Sequence, residues 1–414
     1  MPGPLPGISL EIAAMLRPGT FALTALLAGL SAVGPLTTDM YLPSLPDIAQ
    51  RLDTSTAQVQ LTISAYLIGF ALGQIVYGPV SDRHGRKPVL LGAIALYCAA
   101  SLACALSTSI HVLIAARALQ ALGGSGGIVL ARAMVRDLYA GNRAGRELSL
   151  IGAVMALAPV LAPIAGGALQ TLLGWRSVFF TLVAAGLVGA VVVWWLMPET
   201  LAQRTAEPVS PSSIAKSYAA VGRNAAYRAY LGLATASYAG LFAWISGAAF
   251  VLQELYGLSP FAFGFAFALG SVGYMTGSAL SARLAHRLGI DGIIGIGAAL
   301  CTAGGLGMIA AVALGFTTAA SLVLPVAVYL AGLGMVLPHS LAGALTPFPQ
   351  RAGAASSLLG FIQQSVAALC GAIVGILLGQ NAWPLAAGVA IAGCMTLALW
   401  VVTRNVRASA AAAR

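Results

Sequence analysis

Twelve apolar runs, each long enough to cross a bilayer, constrain this chain more than any other feature. They lie near 20–43, 58–80, 88–108, 110–132, 148–170, 177–197, 226–250, 261–284, 290–313, 319–341, 353–378 and 383–402. A spanning helix needs roughly 20 apolar residues. Lipid gives exposed backbone no hydrogen-bond partner, and the runs are too long for barrel strands, so helices are expected. Composition bears on one point only. Of 414 residues 59% are hydrophobic and 8% charged, where a soluble domain carries about 25% charged residues. The expected fold class is an all-α polytopic membrane protein, and a single soluble core is excluded.

The formal net charge is +10. In a soluble chain that excess would suggest a nucleic-acid partner. Here the basic residues sit between runs, among them Arg83, Arg86, Lys87, Arg132, Arg136, Arg143, Arg146, Arg223, Arg228, Arg283 and Arg287. With the N-terminus inside, eighteen of the 21 Lys and Arg fall on the cytoplasmic side, including Arg17, Arg204 and Arg414, against Arg51 and Arg176 outside. The positive-inside rule explains that split, so both termini are expected in the cytoplasm and no nucleic acid is implied. The five cysteines all lie within apolar runs and read as small core hydrophobes. The Pro/Gly-rich start lacks a short apolar region with a cleavage site, so no cleaved signal peptide is expected.

The longest connection, 198–224, carries Pro208, Ser210, Pro211, Ser212, Ser213 and mixed charge, and reads as a polar linker. It divides the chain into a cytoplasmic segment 1–19, a six-helix bundle 20–197, the linker 198–224, a second six-helix bundle 225–402 and a cytoplasmic tail 403–414. Two such halves are the spacing of a duplicated transporter fold. A faint echo of Gly78–Arg86 at Gly277–Arg287 fits duplication.

Asp39 is the one carboxylate well inside a run, and Arg117 the one cation. An ionised carboxylate in hydrocarbon is costly unless paired, hydrated or protonated, which makes Asp39 a functional candidate. Counted from the ends of their spans, both lie roughly 6–10 Å below the outer surface, so a pair is permitted. Such a pair can serve proton coupling. It can equally be a static ion pair orienting two helices, or Asp39 can reach to the outer interface.

Between spans two and three runs Gly78-Pro79-Val80-Ser81-Asp82-Arg83-His84-Gly85-Arg86-Lys87-Pro88, a tight turn with basic residues at the lipid surface. This stretch resembles the signature loop of the major facilitator superfamily. Gly34-Pro35-Leu36 followed by Thr38-Asp39-Met40-Tyr41-Leu42-Pro43 resembles the Bcr/CflA branch of drug:proton antiporters, named for bicyclomycin and chloramphenicol resistance. Arg117, Gln120, Gly123 and Gly124 resemble its basic motif in span four. Pro159, Pro163, Gly166 and Gly167 resemble the antiporter motif of span five, and Gly174-Trp175-Arg176 with Phe179 also fits. The resemblance implies two pseudo-symmetric six-helix bundles and alternating access. It implies Asp39 as the protonation site with Arg117 as partner. Gly78, Asp82, Arg83, Gly85, Arg86 and Arg136 would form a cytoplasmic gate, with Asp82 bracing the two halves when the transporter faces outward. Pro159, Pro163, Gly166 and Gly167 would form a span-five hinge, and the protein would act as a monomer. Some relatives carry a second acid earlier in span one, where this chain has Ser31, Ala32 and Pro35. Two-acid coupling and strongly cationic substrates are therefore not implied.

A cavity for varied drugs needs deformable apolar walls with a few polar anchors. The candidates for substrate contact are Tyr41, Tyr66, Gln120, Met155, Tyr238, Trp244, Phe361 and Gln364. No metal-ligand spacing, nucleotide loop or nucleophile triad is present, so no enzyme, metal or cofactor is expected and the proton motive force is the energy source. The expected function is proton-coupled efflux of small amphipathic drugs from the inner membrane of a bacterium. The alternative is a transporter dedicated to one endogenous metabolite.

Overall fold

In the computed structural model, residues 20–139, 141–201, 211–348 and 351–412 are described. The predicted segment 1–19 with Arg17, the centre of the linker with Arg204, Pro208 and Ser210, and Arg414 lie outside the described residues.

Among the described residues, eleven helices are long and apolar enough to cross a membrane. One of them, Pro260–Ala313, is 54 residues long and is broken by Gly289 at φ 66. At 1.5 Å per residue it would extend about 81 Å, well over twice the ~30 Å a membrane requires, so it holds two spans folded back at a glycine that tolerates positive φ. Twelve spans result. Span one begins at Phe21–Asp39; spans two to six are Thr56–His84, Arg86–Ala105, Ile110–Leu138, Gly141–Leu173 and Arg176–Leu196. Span seven is Ala225–Phe250, spans eight and nine are 260–288 and 290–313, and spans ten to twelve are Ala319–Leu345, Ala352–Leu377 and Trp383–Val402. Polar caps start several of them. The side chains of Ser55, Ser109, Asn224 and Ser259 accept from the backbone N–H groups of Gln58, Val112, Tyr227 and Ala262.

Span one differs from its expected course. Pro43 has no N–H to offer the carbonyl of Asp39, so the helix stops there. The chain passes through a short 3-10 turn, Leu42–Ser44, and resumes as Leu45–Arg51. The helical stretch long and apolar enough to hold span one therefore runs from Phe21 to Arg51. Asp39 thus ends the first helical piece, twelve residues before Arg51 ends the second.

Spans one to six pack together, as do seven to twelve. Spans two against eleven and five against eight join the two groups. Glycines permit the closest approaches: a Cβ on Gly123 would come 2.5 Å from the Tyr97 backbone. The linker and tail are not bare connections. A helix at Pro211–Gly222 buries Val221 against Ala355 and Leu359 of span eleven. A helix at Arg404–Ala412 is tied to the start of span nine through Arg407 Nε and Asp291 at 2.6 Å.

The side-chain hydrogen bonds between the halves all lie toward one end of the molecule, among the described residues. Gln253 Nε2 donates to the Pro43 carbonyl at 3.2 Å, and Ser64 Oγ to Ala368 at 2.9 Å. Ser271 Oγ donates to Pro159 at 3.0 Å, and Gln60 Nε2 to Ser246. The Pro159 carbonyl is free to accept because Pro163, four residues on, has no N–H. A Cβ on Gly167 would lie 2.5 Å from the Pro260 carbonyl oxygen, and one on Gly264 2.5 Å from that of Pro163. At the opposite end, near residues 78–88, none of the described hydrogen bonds or ion pairs crosses between the halves. A Cβ on Gly353 there would be 4.0 Å from Arg136 Nη1.

Candidate functional site

Asp39 closes the first helical segment of span one and is 6% exposed. Among the described residues it has no hydrogen bond and no ion pair. Its neighbours come from both halves. Tyr66 of span two and Tyr238 of span seven are within electrostatic reach of its carboxyl. Tyr274 of span eight and Gln364 of span eleven flank Tyr238. The carboxyl thus sits at the seam between the bundles with a narrow opening to accessible space.

Arg117 is fully buried, and the expected pair with Asp39 is not made in this conformation. Its Nη1 donates to Gln120 Oε1 at 2.7 Å and reaches the Thr37 carbonyl at 3.5 Å. Nε and Nη2 have no partner. The guanidinium lies against aromatic rings instead: 4.3 Å from the centre of Tyr66, 4.5 Å from Tyr41 and 5.9 Å from Phe179. Gln120 is held in turn by Ser101 Oγ at 2.8 Å.

The expected pocket residues are placed as follows in this conformation. Tyr41, Tyr66 and Gln120 are buried inside the first bundle and engaged with Arg117. Trp244 is likewise fully buried, stacked on Phe267 with ring centres 6.4 Å apart. Helices that pack against one another and against lipid are apolar on every face, so residue type alone does not say which side a tyrosine takes. Tyr238, Met155 and Phe361 are half-buried, and Gln364 is 9% exposed. Tyr274, beside Tyr238, belongs with them and was missed. Its only signal is a phenol among the glycines of span eight.

The loop after span two is built around Arg86. Gly85 adopts φ 100, where side chains are strained. Arg86 binds Asp82 at 2.5 Å, Asp137 of span four at 2.9 Å and Ser81 Oγ at 2.6 Å. The span-three helix starts with no side-chain cap of its own. Glu199, just past span six, supplies one by accepting from the backbone N–H groups of Arg86 at 2.9 Å and Lys87 at 3.2 Å. Asp82 thus serves its own half and makes no ion pair to the second, so the expected bracing is not made in this conformation. Arg83 and Arg136 are exposed, and neither joins this network. Sequence reasoning missed Asp137 and Glu199.

The span-five residues Pro159, Pro163, Gly166 and Gly167 do meet other elements. Gly166 packs on the Met40 backbone beside Asp39, while Pro159, Pro163 and Gly167 meet span eight. A second buried carboxylate, Glu147, also went unnoticed at the edge of span five. It accepts from Thr24 Oγ1 of span one at 2.6 Å.

Residues 27–370 match the model of the Major Facilitator Superfamily. The chain is 36% identical to an uncharacterised MFS-type transporter of Bacillus subtilis, YdgK, over 86% of this chain and 89% of that one. It is 31% identical to a bicyclomycin resistance protein homolog of Haemophilus influenzae, over 88% and 92% of the two chains. Among solved structures, a peptide transporter POT in complex with sulfate superposes with a TM-score of 0.74 at 16% identity, covering 97% of this chain and 98% of that one. That last likeness concerns the fold alone.

Proposed function

Because the chain belongs to the major facilitator superfamily, in its Bcr/CflA-type branch, we propose that it exports small amphipathic drugs in exchange for protons, with Asp39 as the protonation switch. It is not an enzyme; it is a multi-pass membrane transporter. The relatives named for bicyclomycin and multidrug resistance, from Haemophilus influenzae and Escherichia coli, support the substrate class. The site carries one acid and faces it with phenols and an amide, which favours neutral or zwitterionic drugs over strongly cationic ones.

The observation that carries the proton role is the environment of Asp39. A carboxyl at the seam of two bundles, with no cation against it and little water, is far cheaper to hold protonated than charged. In the charged form it needs Arg117 or a substrate dipole. The proton and the drug can therefore exclude one another at one place. We assign the present conformation to the inward-facing state, with residues 78–88 and both termini on the cytoplasmic side of a bacterial inner membrane. Drug enters from that side and displaces the proton. The outer contacts of spans two with eleven and five with eight then part, drug leaves, and Asp39 takes a proton from outside. Return to the inward state completes the cycle. One charge crossing ~100 mV is worth about 2.3 kcal/mol, enough for roughly a fifty-fold drug gradient. The span-five prolines and glycines would be the surface along which the outer ends part. Asp82, Arg86 and Arg136 are the groups available to join the inner ends in the opposite state.

The test is a panel of drug susceptibilities in cells making the wild-type protein or Asp39→Asn at equal membrane levels. Resistance to at least one drug class that falls to the level of empty cells in Asp39→Asn supports the reading. Undiminished resistance in that variant contradicts the switch. A flat panel, with uptake or release of a single metabolite changed instead, would favour the dedicated transporter.

A further inference from the structure

Arg117 poses a problem of its own. It is a full charge with no exposed surface, two unpartnered nitrogens and no carboxylate in contact. Burying an unpaired cation costs several times what one amide bond to Gln120 returns. The missing compensation is aromatic. A cation within about 6 Å of a ring centre is attracted to the ring's negative face, most strongly where water is absent. Three rings meet that distance, and each is fixed by a further contact. The Tyr66 hydroxyl donates to the Gly34 carbonyl at 3.3 Å. The Tyr41 hydroxyl lies 2.9 Å from Thr62 Oγ1. Phe179 packs on Trp175 with ring centres 6.0 Å apart and on Tyr41 at 5.5 Å. Spans one, two and six thus each place one ring around a cation carried by span four.

We propose that Tyr41, Tyr66 and Phe179 form an aromatic cage in which Arg117 is stored as an unpaired cation while Asp39 is protonated. Tyr41 and Tyr66 are then positioning residues of the coupling step, not substrate contacts. The proposal rests on the coupling role assigned to Asp39 above. Arg117 has two alternative homes, the cage and the Asp39 carboxylate, and Tyr66 interacts with both groups. When Asp39 loses its proton the carboxylate outbids the rings, and when the proton returns the rings take the guanidinium back. A cage of neutral rings suits this role because it holds the cation without offering it a permanent counter-ion. A carboxylate in place of Tyr66 would trap it. The titratable groups facing Asp39 are Tyr66 from span two and Tyr238 from span seven, and Tyr66 is also in contact with Arg117 of span four.

The cage is tested by weakening the ring faces without changing their size. Tyr66→Phe is the reference, followed by mono-, di- and trifluorophenylalanine at position 66, and the same series at 41. The readout needs no drug. Proton uptake by the purified protein is titrated, and the Asp39→Asn titration in the same background is subtracted to leave the Asp39-dependent step. A weaker cage releases Arg117 toward Asp39 and favours the charged carboxylate. The midpoint of that step should therefore move to lower pH with each fluorine, by about one unit across the series. A role in shape alone predicts the same midpoint in every variant, and that result would overturn the cage. If no Asp39-dependent step is found even in the wild-type protein, the coupling reading itself fails and the cage falls with it. Thermal melting of each variant checks that the fold is kept.

Discussion

Glu199 shows how one side chain ties together parts of this molecule that are distant in sequence. It caps span three from the end of span six, across 113 residues of chain. Burial pushes its carboxyl up, but bonds from the backbone N–H groups of Leu201, Arg86, Lys87 and Thr200 outweigh burial and hold it below the usual 4.5. The sign follows: the cap is present above the unfolded value and is lost as pH falls through the lower folded one. Glu199→Ala should cost about 1 kcal/mol near neutral pH. The difference should shrink as pH drops below about 4.5, as read by tryptophan fluorescence during unfolding in detergent. A gap that stays constant with pH would mean the charge contributes nothing. Asp39 and Arg117 were legible in the sequence because each is a lone charge in an apolar run. Glu199, Asp137 and Glu147 were not, because they stand at span edges among other charges. Their partners lie 113, 51 and 123 residues away. Tyr41 and Tyr66 were legible as polar aromatics but not as neighbours of Arg117, since no pattern in an all-apolar helix fixes its rotation.

At the scale of the helix, the seam of spans five and eight carries the account. Pro163 frees the Pro159 carbonyl, Ser271 takes it, and Gly264 lets the backbones touch. Gly264→Ala would place a methyl 2.5 Å from the Pro163 carbonyl oxygen. Overpacking of that kind costs about 1–3 kcal/mol. The cost falls on this conformation, so the equilibrium should shift roughly tenfold toward the one with the outer ends apart. Spin labels on the loops at that end of the molecule, at Thr54 and Asn381, would report this as a new, longer distance. An unchanged distance distribution would show that the seam is not the moving contact. The number of spans was legible because bilayer thickness sets their length. The course of span one was not. Pro43 marked a stop in the sequence, yet the resumed helix to Arg51 is set by packing around Tyr41, Leu42 and Leu45, all fully buried.

At the scale of the whole molecule, the described side-chain hydrogen bonds between the two bundles are all neutral and gather toward one end. No ion pair joins them among the described residues, so no buried charge pair must be broken for those ends to separate. Under the proposed function the energy for turnover enters at a group whose charge changes, and Asp39, buried and without an ion-pair partner among the described residues, is that group. The most direct test is the number of protons released when a drug identified by the susceptibility panel is added to purified protein in weakly buffered detergent solution. The account predicts release approaching one proton per drug bound from the wild-type protein and none from Asp39→Asn, with both still binding drug. Equal release from the two proteins would contradict it.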